Sequence, residues 1–238
     1  MTASRPIRHD YFFDAERKGR ARSRLTFVSV ALLGLVVTVL LDNALFRAAY
    51  VGPDQIGLVE SKAWYQILRQ TGDVRTWLIV ASAIFAHAFW RAFGGNAPRI
   101  RLGGIITIAL APMISGLVAE ILRAVIGRER PLSISGDSAG EFQGHVWRGA
   151  FAGIYHNGQW FDSSNLGLPS SHAAVAMAGA IATARAFPGS GFVLVPIALG
   201  CGITRMLSGR HFSSDVFLGI IVGWAIGSLT AGAFRRLR

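Results

Sequence analysis

The 238-residue chain is 52% hydrophobic with a mean hydropathy of +0.43, which excludes an ordinary water-soluble domain and indicates a membrane protein. Its formal net charge of +11 comes from 24 basic residues placed between and at the ends of apolar runs, a distribution that points to anionic lipid and away from nucleic acid. The single cysteine, Cys201, excludes an intrachain disulfide and a multi-cysteine metal site.

Residues 1–24 carry Arg5, Arg8, Arg17, Lys18, Arg20, Arg22 and Arg24 and show no apolar periodicity beyond Tyr11-Phe12-Phe13. They read as a basic cytosolic tail at the membrane surface, ahead of a membrane domain over 25–238. Asp10, Asp14 and Glu16, with no small-residue cleavage site after the next run, argue against a cleaved signal peptide. Residues 25–41 predict a first spanning helix that ends at Asp42-Asn43. In the mixed stretch 44–75, Ile56, Val59, Trp64, Ile67 and Leu68 recur at helical spacing, either as an amphipathic interfacial helix or as an ordinary loop helix.

A second run, 77–93, contains His87 and Arg91 and is closed by Gly94-Gly95-Asn96-Ala97-Pro98, a turn sequence. A third, 105–126, carries Glu120 and Arg123 in its last two turns. The polar stretch 127–168 that follows is aromatic, with Phe142, Trp147, Phe151, Tyr155, Trp160 and Phe161 as an interfacial belt or a lid. Runs four to six cover 172–186, 192–207 and 216–234, before Arg235-Arg236-Leu237-Arg238. The fourth is rich in Ala and Gly, which lets helices approach closely in lipid. The expected fold is therefore all-α: an integral membrane bundle of six transmembrane helices. Six spans put both termini on one side with 14 of the 24 basic residues, so the positive-inside rule assigns N- and C-termini to the cytosol.

Three polar stretches then fall on the opposite face: 123–131, 169–172 and 204–215. Arg123 and Arg130 are seven apart, which on a helix separates them by about 10 Å along the axis and roughly 20° around it, although Gly127 and Pro131 signal that the helix loosens before the second Arg. Both suit an anion, or Arg123 snorkels or pairs with Glu120. Pro169-Ser170-Ser171-His172 is a helix start, where free N–H groups and the helix dipole favour an anion. Ser170 and Ser171 can equally be plain caps, but His172 adds a group able to protonate a leaving oxygen. His211 and Asp215 are four apart and share a helix face, as a base or nucleophile with its orienting carboxylate or as a structural pair. Arg205 adds a fork suited to phosphate oxygens. His9, His87, His145 and His156 are weaker candidates.

Together, Arg123 and Arg130-Pro131, Pro169-Ser170-Ser171-His172, and Thr204-Arg205 with His211 and Asp215 resemble the three-part signature of the type 2 phosphatidic acid phosphatase superfamily. The resemblance implies that His211 attacks phosphorus to form a phosphohistidine, that Asp215 holds its ring and that His172 protonates the leaving group and later helps activate water. It implies that Arg123, Arg130, Arg205, Ser170 and Ser171 hold the phosphate oxygens, with no cofactor and no metal. Three positions depart from the usual pattern: Arg123 replaces Lys, Ser171 replaces Gly and Thr204 replaces Ser.

The expected activity is that of an integral membrane lipid phosphatase removing a terminal phosphate from a phosphomonoester or diphosphate. Compact length and a short tail suggest a bacterial inner-membrane enzyme with its active site facing the periplasm. Substrates of this chemistry include phospholipid, lipid A and isoprenoid phosphates, with the lipid bilayer as the other partner. The alternatives are a lipid-to-lipid phosphotransferase and a non-catalytic anion-binding membrane protein or transporter.

Overall fold

The computed structural model describes residues 8–94, 102–132, 140–151, 155–156, 159–160 and 165–234. Part of the basic tail, Arg99 and Arg101, most of the turn after residue 94, Phe161 and the C-terminal arginines lie outside the described residues. The helices are α1 (Arg8–Ala49), α2 (Pro53–Glu60), α3 (Ala63–Gln70), α4 (Val74–Phe93), α5 (Leu102–Ile126), α6 (Ser171–Ala186), α7 (Gly191–Leu207) and α8 (Ser213–Phe234). One two-residue antiparallel pair, β1 (Tyr155–His156) and β2 (Gln159–Trp160), lies in the loop between α5 and α6.

Each of the six apolar runs is helical. Four segments are long and apolar enough to cross a membrane: Leu25–Ala49, Val74–Phe93, Leu102–Ile126 and Ser213–Phe234. Helix α7 is apolar but has 17 residues, and α6 has 16, covering about 24 Å against a hydrocarbon core of about 30 Å.

The chain divides into two compact units, Met1–Val37 and Thr38–Arg238. In the first, Leu25, Val30, Leu32 and Leu33 expose their side chains, as a lipid-facing helix does. Two boundaries differ from the sequence reading. Asp42 does not end the first helix, because its carboxylate is fully buried and hydrogen-bonded, so α1 continues to Ala49. The interfacial stretch is two short helices, α2 and α3, broken at Ser61-Lys62.

Helix α6 is the centre of the second unit, packed against α5, α7 and α8 and buried from Ala173 to Ala180. Its contact with α8 is backbone to backbone. Gly219, Gly223 and Gly227, four apart on α8, face the carbonyl oxygens of Ser170, Ala174 and Ala178, where any Cβ would collide. This close approach brings the start of α6 to the start of α8. On the other side, the Trp77 ring of α4 lies over Gly179, anchored by its indole N–H to the Thr71 carbonyl at 2.8 Å.

Candidate active site

Helix α5 stops where Gly127 takes a φ of +69° and packs against the Gly149 carbonyl, where a side chain would collide. The chain then runs extended rather than helical, so Arg130 is not two turns along a helix from Arg123. The extended stretch 127–132 is bracketed on both sides. Glu129 N–H donates to Val146 O and Arg148 N–H to Gly127 O, each at 2.9 Å, while Arg130 N–H donates to Asn165 O at 2.9 Å and Gly167 N–H to Arg128 O at 2.7 Å. Extended backbone alternates its side chains, which puts Arg128 and Arg130 on one face and Glu129 on the other. Glu129 accepts from Arg148 and from Asn165, tying the two flanking segments together.

At the start of α6, Ser170 acts as N-cap: its Oγ accepts from Ala173 N–H at 3.4 Å, and its own N–H donates to the Asp215 carbonyl at 2.9 Å. Arg123 reaches across from α5. One guanidinium nitrogen donates to Glu120 at 3.0 Å, and the other donates to Ser171 Oγ at 2.9 Å and to Pro169 O at 3.4 Å. Two departures from the family pattern, Arg123 and Ser171, are thus each other's partners. His172, in the first turn, is walled by the turn before α4: a Cβ on Gly72 would lie 2.8 Å from that of His172. Helix α3 holds this wall in place, its buried Tyr65 donating to the Thr204 carbonyl at 3.3 Å. The Thr204 hydroxyl donates to Cys201 O within its own helix.

His211 lies between α7 and α8 with 1% of its side chain exposed, its Nδ1 at 3.5 Å from Asp215 Oδ2. Asp215 also accepts from the Phe212 N–H at 2.8 Å, closing the first turn of α8 as the acid of a capping box does. Burial first, then the positive charges of Arg130, Arg205 and Arg123 and the nearby His172, push the His211 imidazole well below its ordinary value. Arg130 is itself lowered to about 10, by burial first and then by Arg123, Arg205 and Arg210, and its Nε donates to Leu166 O at 3.2 Å. The three guanidinium groups therefore converge on one neutral imidazole. An incoming dianion would relieve their mutual repulsion, and an uncharged ring is what a nucleophile needs.

The structure thus brings together all eight residues proposed from the sequence. It adds two more: Arg128 and Asp42, both fully buried, the first bound to Asp215 and to Asp42. A carboxylate inside an apolar run was the available signal for Asp42; Arg128 had only its place two residues before Arg130. His145 Nε2 lies 3.3 Å from Asp42, whereas His87 is exposed on α4. The side chains of His9 and His156 are outside those described. Among the described residues no group of three or more His, Cys, Asp and Glu is arranged to hold a metal ion.

Comparison with known proteins identifies relatives in sequence and in fold. The chain is 32% identical over 124 residues to a lipid A 1-phosphatase of Rhizobium johnstonii, covering 52% of this chain and 45% of that protein. It is 29% identical over 124 residues to a lipid A 1-phosphatase of Rhizobium etli, covering 52% and 47%. The match spans less than half the length of either relative. The fold is similar to the crystal structure of a transmembrane PAP2-type phosphatidylglycerolphosphate phosphatase from Bacillus subtilis, with a TM-score of 0.57, 18% identity and coverage of 88% of this chain and 96% of that one. At that identity the likeness is one of fold. The model of the PAP2 superfamily, that of the type 2 phosphatidic acid phosphatases, matches residues 104–238, more than half the chain and every motif residue named above, so the chain belongs to that superfamily.

Proposed function

We propose that the chain is a membrane lipid phosphatase that cleaves a terminal phosphate through a phosphohistidine on His211. The observation that carries this reading is the buried His211–Asp215 pair at 3.5 Å, set among Arg123, Arg130 and Arg205 and facing the capped start of α6. With Asp215 Oδ2 facing Nδ1 at 3.5 Å, the proton is favoured on Nδ1 and the lone pair on Nε2 is left to attack phosphorus. As the Nε2–P bond forms and the P–O bond to the lipid breaks, His172, protonated once the bound phosphate dianion offsets the arginine charges around it, gives that proton to the leaving oxygen. Water then attacks phosphorus with His172 as base, releasing inorganic phosphate and restoring His211. The guanidinium groups carry the charge on the non-bridging oxygens.

The six apolar helices support a six-span bundle with both termini cytosolic and the site facing the opposite, periplasmic side of an inner membrane. The names of the Rhizobium relatives make a lipid A phosphate the first substrate to try. The test is phosphate release by the full chain in detergent from lipid A, phosphatidylglycerol phosphate, phosphatidic acid and undecaprenyl diphosphate, wild type beside His211→Ala. Release from at least one substrate, abolished by His211→Ala, is expected. Equal release by the two proteins would overturn the proposal, and label appearing on a second lipid instead of as free phosphate would identify a phosphotransferase.

A further inference from the structure

Behind His211, Asp215 belongs to a charged network whose other members the reaction as written does not use. Arg128, Asp42 and Asp215 are all completely buried. One terminal nitrogen of Arg128 donates to Asp42 Oδ2 at 3.2 Å; the other donates to Ser214 Oγ at 2.7 Å and to Asp215 Oδ1. Asp42 in turn receives the Ser213 hydroxyl at 2.7 Å and the Ser214 N–H at 2.8 Å on Oδ1, and the Ser214 hydroxyl on Oδ2. It therefore caps α8 from a different helix. The guanidinium lies between the rings of Phe212 and Trp147, at 5.1 and 5.7 Å from their centroids.

Burying three charges is poor architecture if holding helices together is the only task, since well-packed apolar residues commonly serve as well or better. The charge count suggests another purpose. Arg128 alone would neutralise Asp215 and leave no net charge facing His211; with Asp42 present the three groups sum to one negative charge. When Nε2 bonds to phosphorus the imidazole ring becomes cationic, amid Arg123, Arg130 and Arg205, and Asp215 is the anion placed to stabilise it.

We propose that Asp42 and Arg128 are positioning residues for the nucleophile: Arg128 fixes Asp215 by its Oδ1 so that Oδ2 faces His211, and Asp42 holds Arg128 and keeps the cluster net anionic. This rests on the phosphohistidine reading. It predicts that Asp42→Asn lowers kcat tenfold or more, with KM within about threefold, because the change acts on the transition state and not on phosphate binding.

The assay is the full chain in detergent, on whichever of the four lipid phosphates wild type turns over fastest. Rates are expressed per mole of monodisperse protein with a cooperative melting transition. A purely structural role would reduce the folded fraction and leave kcat of the remainder intact. Unchanged kcat in folded Asp42→Asn or a change confined to KM would each overturn the proposal. If Asp42→Asn does not fold, Ser214→Ala decides: it removes the hydroxyl shared by Asp42 and Arg128 without stranding a charge, and kcat must fall at least threefold at constant KM. Failure of the underlying reading is distinguishable, since His211→Ala would then keep its activity, whereas failure of the positioning role alone leaves His211→Ala inactive.

Discussion

The contact between Arg123 and Ser171 offers a test of how this site accommodates two departures from its family's pattern. Arg123 spans Glu120 at 3.0 Å and Ser171 at 2.9 Å with different nitrogens, a reach that a lysine ammonium at the same position cannot reproduce. A charge-assisted bond of this kind contributes about 1.5–3 kcal/mol, so Arg123→Lys should lower kcat/KM roughly tenfold to a hundredfold. Ser171→Gly removes the same bond from the other side and should cost a similar factor. The double variant restores the Lys and Gly of the family pattern and gives the backbone at 171 the close approach to phosphate that a side chain obstructs. Its loss should therefore fall well short of the product of the two single losses, with a coupling of about 1 kcal/mol or more. The assay is kcat/KM for phosphate release by the four proteins on one lipid phosphate. Melting in parallel is needed, since glycine in the first turn of α6 weakens the helix by roughly 0.5–1 kcal/mol. Losses that multiply to within about twofold would show that the 2.9 Å contact does not couple the two positions.

The other predictions concern pH and packing. His211 is held neutral in the native state, so on acidification below its ordinary value of about 6.5 the unfolded chain takes up a proton that the folded chain refuses, and stability falls as pH drops through that window. Wild type should therefore lose more melting temperature between pH 7 and pH 5 than His211→Asn does; equal losses would show that the imidazole is not buried neutral. In the α6–α8 contact, Gly223→Leu drives a side chain into the Ala174 carbonyl and should destabilise the bundle by at least ~1–3 kcal/mol, whereas Gly232→Leu, which meets open space, should leave melting nearly unchanged.

The sequence by itself determined the six apolar helices, because predominantly apolar sequence over fifteen or more residues leaves the backbone few ways to satisfy its hydrogen bonds except helically. It also determined the candidate site, since Arg123, Arg130, Ser170, His172, Arg205, His211 and Asp215 stand at family spacings that are local in the chain. What it could not determine is anything set by contacts between distant segments. The end of α1 is one such feature, because Asp42 looks like a helix stop until Ser213, Ser214 and Arg128 are seen around it. Gly127 and Pro131 signal that the helix loosens before Arg130, but only the flanking segments 142–148 and 165–167 reveal that 127–132 is extended. Arg128 was passed over for the same reason. Its neighbours in sequence give it no role, and its partners, Asp42 and Asp215, lie 86 and 87 residues away along the chain and come within reach only when α1 and α8 converge on it.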